Sequence, residues 1–215
     1  MVQAPMSRLI AEISVSVDGF AAGPNQSMDN PLGEGAERLH EWVFPTASWR
    51  GLHGMEGGET GPDDDAAAGF GRGVGAFIMG RNMFGPPEGG EWDESWHGWW
   101  GENPPYHVPV FVLTHHPREP LPMEGGTTFH FVTDGFESAL EQARAAADGG
   151  DVKVAGGATA IQQYLKAGLL EELLLHVAPV VLGSGERLFE NVGDPKLEQG
   201  EVVAGSATHV KYRVG

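Results

Sequence analysis

Three short stretches of this chain place anion-gripping residues directly after an apolar run. Gly80, Arg81, Asn82 and Met83 follow AFIM at 76–79. Thr114, His115 and His116 follow VFVL at 110–113, with Arg118 two residues beyond. Gly156, Gly157, Ala158 and Thr159 follow VKVA at 152–155 and open what reads as a helix. A glycine pair has an ordinary explanation, because glycine reaches turn angles closed to other residues. It also has a chemical one: bare amides at a helix N-terminus form a receptacle for phosphate. A guanidinium, hydroxyls and imidazoles at neighbouring strand ends would suit an extended polyphosphate better than a neutral ligand. The condition is that the three runs lie side by side, since open α/β sheets bind ligands beyond the carboxyl ends of their strands.

The pattern of elements supports that condition. Strand-like runs fall at 8–17, 74–79, 108–114, 128–133, 152–155, 172–182 and 207–214. Several are nearly continuous apolar stretches, as expected of strands covered on both faces in a mainly parallel sheet. In the last run Val210, Tyr212 and Val214 alternate with His209, Lys211 and Arg213, which predicts one buried and one wet face and antiparallel pairing near an edge. Asp134 and Glu137 have capping-box spacing before a helix with apolar Phe136, Leu140 and Ala143. A second helix is expected from Ala158 to Ala167, buries Ile161 and Leu165, and stops at Gly168. The βαβ rhythm predicts an α/β fold with right-handed crossovers. Two stretches break it: residues 51–73, acidic and glycine-rich with one helical turn near 64–70, and residues 85–107, with four tryptophans among Gly and Pro. Those tryptophans read either as anchors for an irregular loop or as a wall for a substrate.

Composition narrows the function. A chain of 215 residues fits one large domain spanning 1–215. The formal charge of −17, with no Lys/Arg cluster, argues against a nucleic-acid surface. Cysteine is absent, which removes thiolate metal sites and a cysteine nucleophile. His40, His53, His97, His107 and His130 show no metal-ligand spacing, so no metal is expected. His176, inside an apolar strand, reads as a satisfied core residue. No run is long enough to span a membrane and the N-terminal residues lack a signal-peptide pattern, so a cytoplasmic protein is expected.

The segments SVSVDGFAAG, FIMGRNMF at 77–84, VFVLTHH at 110–116 and VAGGATAIQQYLKAGLLEELLLHVAPVVLGSGERLF at 154–189, in that order, resemble the dihydrofolate reductase-like superfamily. Within it they are most similar to the reductase domain of bifunctional riboflavin-biosynthesis proteins and its stand-alone relatives. The resemblance implies a three-layer α/β fold, with a mainly parallel central sheet, an antiparallel edge strand and flanking helices. It implies an NADPH-dependent reductase, with 5-amino-6-(5-phosphoribosylamino)uracil as a candidate substrate, and a homodimer. Carried over residue by residue, it implies phosphate contacts from Gly80, Arg81, Asn82 and Met83. Thr114, His115, His116 and Arg118 would lie at the adenosine end, and Gly156, Gly157, Ala158 and Thr159 at the pyrophosphate. Ala11 and the loop from Asp18 to Ala22 would lie beside the nicotinamide and the substrate.

The departures bear on the substrate. The acidic residue that contacts the pterin in dihydrofolate reductases has several candidates here, namely Asp29, Glu34 and Glu37. Asp18, Asp29 and Glu37, or an ordered water, are the candidate proton donors, and a partly buried carboxyl among them is expected to have a raised pKa. Riboflavin-pathway reductases usually carry an acidic residue just before the paired glycines, where this chain has Ala155. Residues 20–50 offer only Arg38 and Arg50 for a ribosyl phosphate. A module that binds a dinucleotide or a flavin without turnover is the alternative reading. The apolar run 172–182 is a candidate for pairing across a dimer.

Overall fold

The computed structural model describes residues 7–85 and 90–215. The first six residues and positions 86–89, part of the expected irregular stretch 85–107, lie outside that description. In chain order the elements are β1 (Leu9–Ser16), β2 (Phe20–Ala22), a 3-10 turn (Ala36–His40), α1 (Ala47–Leu52) and α2 (Pro62–Ala68). They continue with β3 (Val74–Gly80), α3 (Arg81–Phe84), β4 (Pro109–Leu113), β5 (Leu121–Pro122), β6 (Thr128–Val132) and α4 (Phe136–Ala146). The chain closes with β7 (Asp151–Gly156), α5 (Ala158–Lys166), β8 (Glu172–Ala178), β9 (Glu186–Arg187), β10 (Leu197–Ala204) and β11 (Thr208–Val214).

Nine strands form one sheet in the order β10-β11-β8-β1-β7-β3-β4-β6-β5. The six from β8 to β6 run parallel, and the antiparallel pairs are confined to the two margins. β7, β3 and β4 are consecutive, with Met79 opposite Gly156 and Gly80 opposite Leu113. The three strand ends that carry the candidate anion-binding residues therefore share one rim.

The two faces of the sheet differ in chemistry. On one, Leu9, Ala11, Val15, Ile78, Val152, Val154, Leu173 and Leu175 meet α4 and α5 in a continuous apolar core. α4 places Ala139, Leu140 and Ala143 on that core, and α5 places Ile161, Tyr164 and Leu165 there, at the spacing of one helical face. The other face is covered by irregular chain. Over β3, β4 and β6 it is apolar: Phe77, Met79, Val110, Val112 and Phe129 pack under Phe84, Tyr106, Trp92, Trp96 and Trp100. Over β1, β8 and β11 it is polar, and Trp42 and Asp63 lie against it.

Several expectations change. β8 ends at Ala178 because Pro179 has no amide to donate, and β8 lies between β1 and β11. Both of its backbone edges are paired, so it cannot pair across a dimer. His209 is 4% exposed, against the wet position its alternation predicted, because it joins a buried polar chain described below. The capping box does not form: α4 has Gly135 at its N-cap, and Asp134 instead accepts a hydrogen bond from the Ser138 hydroxyl at 2.8 Å. The helical turn expected near 64–70 starts earlier, where Pro62 and three aspartates suit a first turn. β11 is antiparallel and near an edge, as expected, with β10 outside it, and α1, β2, β9 and β10 had no anticipated counterpart.

Candidate functional site

The rim carries three glycines, of which the backbone requires only Gly156. Gly156 has φ +137°, a conformation that excludes most side chains, and a Cβ there would sit 3.2 Å from the Met83 sulfur. Gly157 is different. Its φ is −72°, and a Cβ added to it would meet nothing within 4 Å. Gly80 is also in an ordinary conformation, and a Cβ on it would make only ordinary contacts at 3.8 Å, with Ala160 and the Gly157 amide nitrogen. The Gly156–Gly157 peptide bond is cis. α5 begins at Ala158 with no side-chain cap and no acidic residue in its first turn. Its first amides are thus left for an external acceptor, with a positive dipole end behind them.

Arg81 supplies the charge. Its Nε, Nη1 and Nη2 are all buried and have no hydrogen-bond partner among the described residues. Its guanidinium carbon lies 3.8 Å from the ring centroid of Trp92. Burial holds the Arg81 pKa below the usual arginine value, with Glu91 acting in the opposite sense. Asn82 is exposed, and Met83 is half-buried behind it. After β4, Thr114 is buried and its hydroxyl accepts from the His116 amide at 3.1 Å, which folds the turn tightly. His115 is exposed on that turn, and His116 is half-buried. At the start of α5, Ala158 is buried and Thr159 exposed. The four tryptophans act as anchors: Trp92 donates to the His116 carbonyl at 2.8 Å and Trp96 to the Phe84 carbonyl at 3.0 Å.

The turn after β1 has a structural job. The Asp18 carboxylate accepts from the amides of Leu182 and Gly183 at 3.1 and 2.7 Å, while Arg187 donates to the Asp18 carbonyl. Hydrogen bonds from the Ser16 side chain and from those amides hold the Asp18 pKa at about 2. The expected raised pKa is therefore reversed, and Asp18 is an ionised acceptor that pins the β1–β2 turn to residues 182–187. Ala22 is buried where β2 pairs with β9. Asp29 and Glu37 are both exposed, as is Glu34, so none of them is the partly buried carboxyl anticipated there. The side chain of Ala11 points into the helix-covered core, away from the rim.

The buried carboxylate is Glu12, which had no place among the sequence candidates. Lys153 of β7 donates to Glu12 and to the Phe70 carbonyl. His176 Nε2 lies 2.9 Å from the other Glu12 oxygen, His176 Nδ1 lies 2.6 Å from His209 Nδ1, and His209 Nε2 lies 2.9 Å from Asp63. Asp63 also accepts from the Ser206 amide, which ties α2 to the β10–β11 turn. Trp42 covers the pair, 4.5 and 4.9 Å from the two imidazoles, and donates to the Ser14 hydroxyl at 3.1 Å. Burial alone would raise the Glu12 pKa, but the His176 hydrogen bond and the Lys153 charge outweigh it and bring it to about 2. Both outer ring nitrogens face carboxylates and must donate, so one inner nitrogen must donate to the other. The inner ring nitrogens therefore share a hydrogen bond, and burial lowers the His209 pKa. The expectation that His176 is a satisfied core residue agrees with this geometry.

A charged groove of about 480 Å³ opens at the opposite end of β1, β7 and β8. Arg8, Lys153 and Lys211 in it already pair with Asp151, Glu172 and Glu12. Arg72 also lines it and is exposed, whereas the Arg81 guanidinium at the rim is buried without a hydrogen-bond partner among the described residues.

The strand order, the helix-covered face and the glycine turn at a helix start define a dihydrofolate reductase-like fold. The dihydrofolate reductase of Enterococcus faecalis in complex with NADP(H) superposes with a TM-score of 0.52 over 97% of each chain, at 14% identity. The chain belongs to the RibD C-terminal domain family, which it matches over residues 7–210. A Shewanella sp. PV-4 protein described under riboflavin biosynthesis aligns with a TM-score of 0.59 at 22% identity, covering 97% of this chain and 99% of that one. The Thermotoga maritima diaminohydroxyphosphoribosylaminopyrimidine deaminase/5-amino-6-(5-phosphoribosylamino)uracil reductase aligns with a TM-score of 0.55 at 13% identity. That match covers 98% of this chain and 57% of the bifunctional one. In sequence, the uncharacterized protein YwjB of Bacillus subtilis (strain 168) is 33% identical over 87 residues, which is 38% of this chain and 48% of YwjB. The match thus spans about half the length of that curated relative. No helix among the described residues is long and apolar enough to cross a membrane.

Proposed function

We propose that this protein is an NADPH-dependent reductase acting on a small heterocyclic or opened-sugar acceptor. The observation that carries the reading is Gly157, a glycine at a helix start whose missing side chain leaves space that neither the backbone nor any neighbour needs. The dinucleotide, when bound, supplies a hydride for a C=N or C=O carbon. Gly156, Gly157, Ala158 and Thr159 would receive its pyrophosphate on the α5 amides, and Gly80, with Asn82 and Met83, would leave room for it beside β3. Arg81 would pair with phosphate oxygens, and Thr114, His115 and His116 would flank the adenosine end. Asp18 holds the loop that carries Ala22 against residues 182–187, so its part is to position the wall beside the nicotinamide and substrate. With Asp18 ionised and both Asp29 and Glu37 exposed, the acceptor's proton comes from water that reaches the same pocket.

The family makes a riboflavin-pathway pyrimidine the first acceptor to try. Ala155 and the basic residues of 20–50 favour an acceptor without a ribosyl phosphate. Arg50 is spent on the Glu56 carbonyl at 2.9 Å, and Arg38 is exposed on the 3-10 turn. Calorimetric titration with NADPH and NADH, followed by loss of NADPH absorbance with a panel of aminouracils, pterins and opened sugars, tests the proposal. Binding followed by oxidation with one acceptor is expected. Absence of heat with either dinucleotide overturns it, and tight binding with no turnover across the panel converts it to the binding-module alternative. A homodimer is part of the proposal, through a surface other than the fully paired β8.

A further inference from the structure

Two basic side chains of the rim, His116 and Arg118, already face the protein's own acids. Within four residues of the tryptophan-rich segment, Glu91, Trp92 and Glu94 reach His116, Arg81 and Arg118. Glu91 Oε1 lies 3.5 Å from His116 Nδ1, and the Trp92 ring lies over the Arg81 guanidinium. Glu94 approaches Arg118 Nε at 3.4 Å through its carboxylate, and its carbonyl accepts from Arg118 Nη2 at 3.0 Å. The basic side chains are held in place, with Arg118 only 3% exposed, whereas the Glu91 and Glu94 side chains are 93% and 78% exposed. Even so the cations are not saturated. All three Arg81 nitrogens and Arg118 Nη1 are buried without an acceptor among the described residues. A buried, unpaired guanidinium N–H is costly, and the planar guanidinium can give two of them to one phosphate at once.

Resting on the dinucleotide reading above, we propose that Glu91 and Glu94 are specificity-determining residues. They act as resident counter-anions that the 2′-phosphate of the cofactor must displace, while a cofactor with a free 2′-hydroxyl leaves them in place. The phosphate gains charge-assisted hydrogen bonds from Arg81 that the carboxylates do not make, and it gives up the attraction that Glu91 holds on His116. Trp92 links the two events, because the same indole covers Arg81 and is hydrogen-bonded to the His116 turn. The segment therefore sets how strongly the protein prefers the phosphorylated cofactor, without contributing to the grip on the pyrophosphate.

The test is calorimetric binding of NADP⁺, NAD⁺ and 2′,5′-adenosine bisphosphate to the full chain and to Glu91→Gln, Glu94→Gln and Glu141→Gln. The last removes one equal charge from an exposed site on α4 and controls for the general repulsion of an acidic protein. Removing an exposed counter-charge is expected to tighten NADP⁺ and the bisphosphate about threefold to fivefold for each rim variant. NAD⁺ should be unchanged, and Glu141→Gln should leave all three as in the parent. Equal gains for NADP⁺ and NAD⁺, or rim variants that match Glu141→Gln, overturn the assignment while leaving the dinucleotide site standing. Failure of every probe to bind every variant overturns both.

Discussion

Gly157 and Gly156 sit side by side, yet the reasons for them differ, and substitutions separate those reasons. Gly157→Val puts a branched side chain into open space that the proposal assigns to the cofactor. It should abolish binding of NADPH and NADH alike, while the melting temperature stays close to that of the parent. Gly156→Ala forces a Cβ onto a backbone at φ +137° and toward Met83, so it should lower the melting temperature. Arg81→Ala removes a charged donor set and should weaken NADPH by about tenfold or more, with a smaller effect on NADH. Equal losses for the two cofactors would move the 2′-phosphate away from Arg81. These candidates stand out in the sequence because each lies directly after an apolar run, where chain order and geometry coincide. Glu12 could not. A single acid in LIAEISVSV reads as an outward position on an alternating strand. Its partners lie 141 and 164 residues further along the chain and meet it only after the sheet has assembled.

The elements around the rim were readable to the extent that their patterns are local. α4 and α5 announce themselves by helical spacing, and the parallel strands by continuous apolar runs. The β2–β9 pair and α1 do not, because their positions are set by what they dock against. Asp18 illustrates this. Its residue type suggested chemistry, while its work is to clamp the turn after β1 to the chain that follows β8. Asp18→Ala should release that clamp, and hydrogen exchange at the Leu182 and Gly183 amides should accelerate while α4 and α5 amides keep their protection. Unchanged exchange at those two amides would show that the turn is held by Arg187 and the β2–β9 pairing alone. Of the two readings of the tryptophan-rich segment, the contacts of Trp92 and Trp96 support the anchor. That its acids would meet Arg118 and His116 was out of reach, since it depends on the way β3, β4 and β6 lie together beneath it.

For the protein as a whole, the Lys153, Glu12, His176, His209 and Asp63 chain crosses β7, β1, β8 and β11 and reaches α2, with His40 and Trp42 packed nearby. Glu12 ionises at about 2 in the folded state against 4.5 in its absence. A lowered carboxylate pKa stabilises the fold above the unfolded value, so the contribution is complete above about pH 4.5 and is lost as the pH falls toward 2. The difference corresponds to roughly 3 kcal/mol. Glu12→Gln leaves Lys153 and His176 without their anion, so it should cost about 3 kcal/mol at neutral pH. It should also flatten the acid limb of a denaturation series measured from pH 5 to pH 2. An acid limb identical to the parent's would remove Glu12 from the account of stability.

The two imidazoles whose inner nitrogens lie 2.6 Å apart share one hydrogen. Sealed beneath an indole, that hydrogen should exchange slowly with solvent and give a nuclear magnetic resonance line far downfield of the amide envelope. One such line, coupled to nitrogens of both rings and absent from His209→Phe, would report directly on whether β8, β11 and α2 are docked.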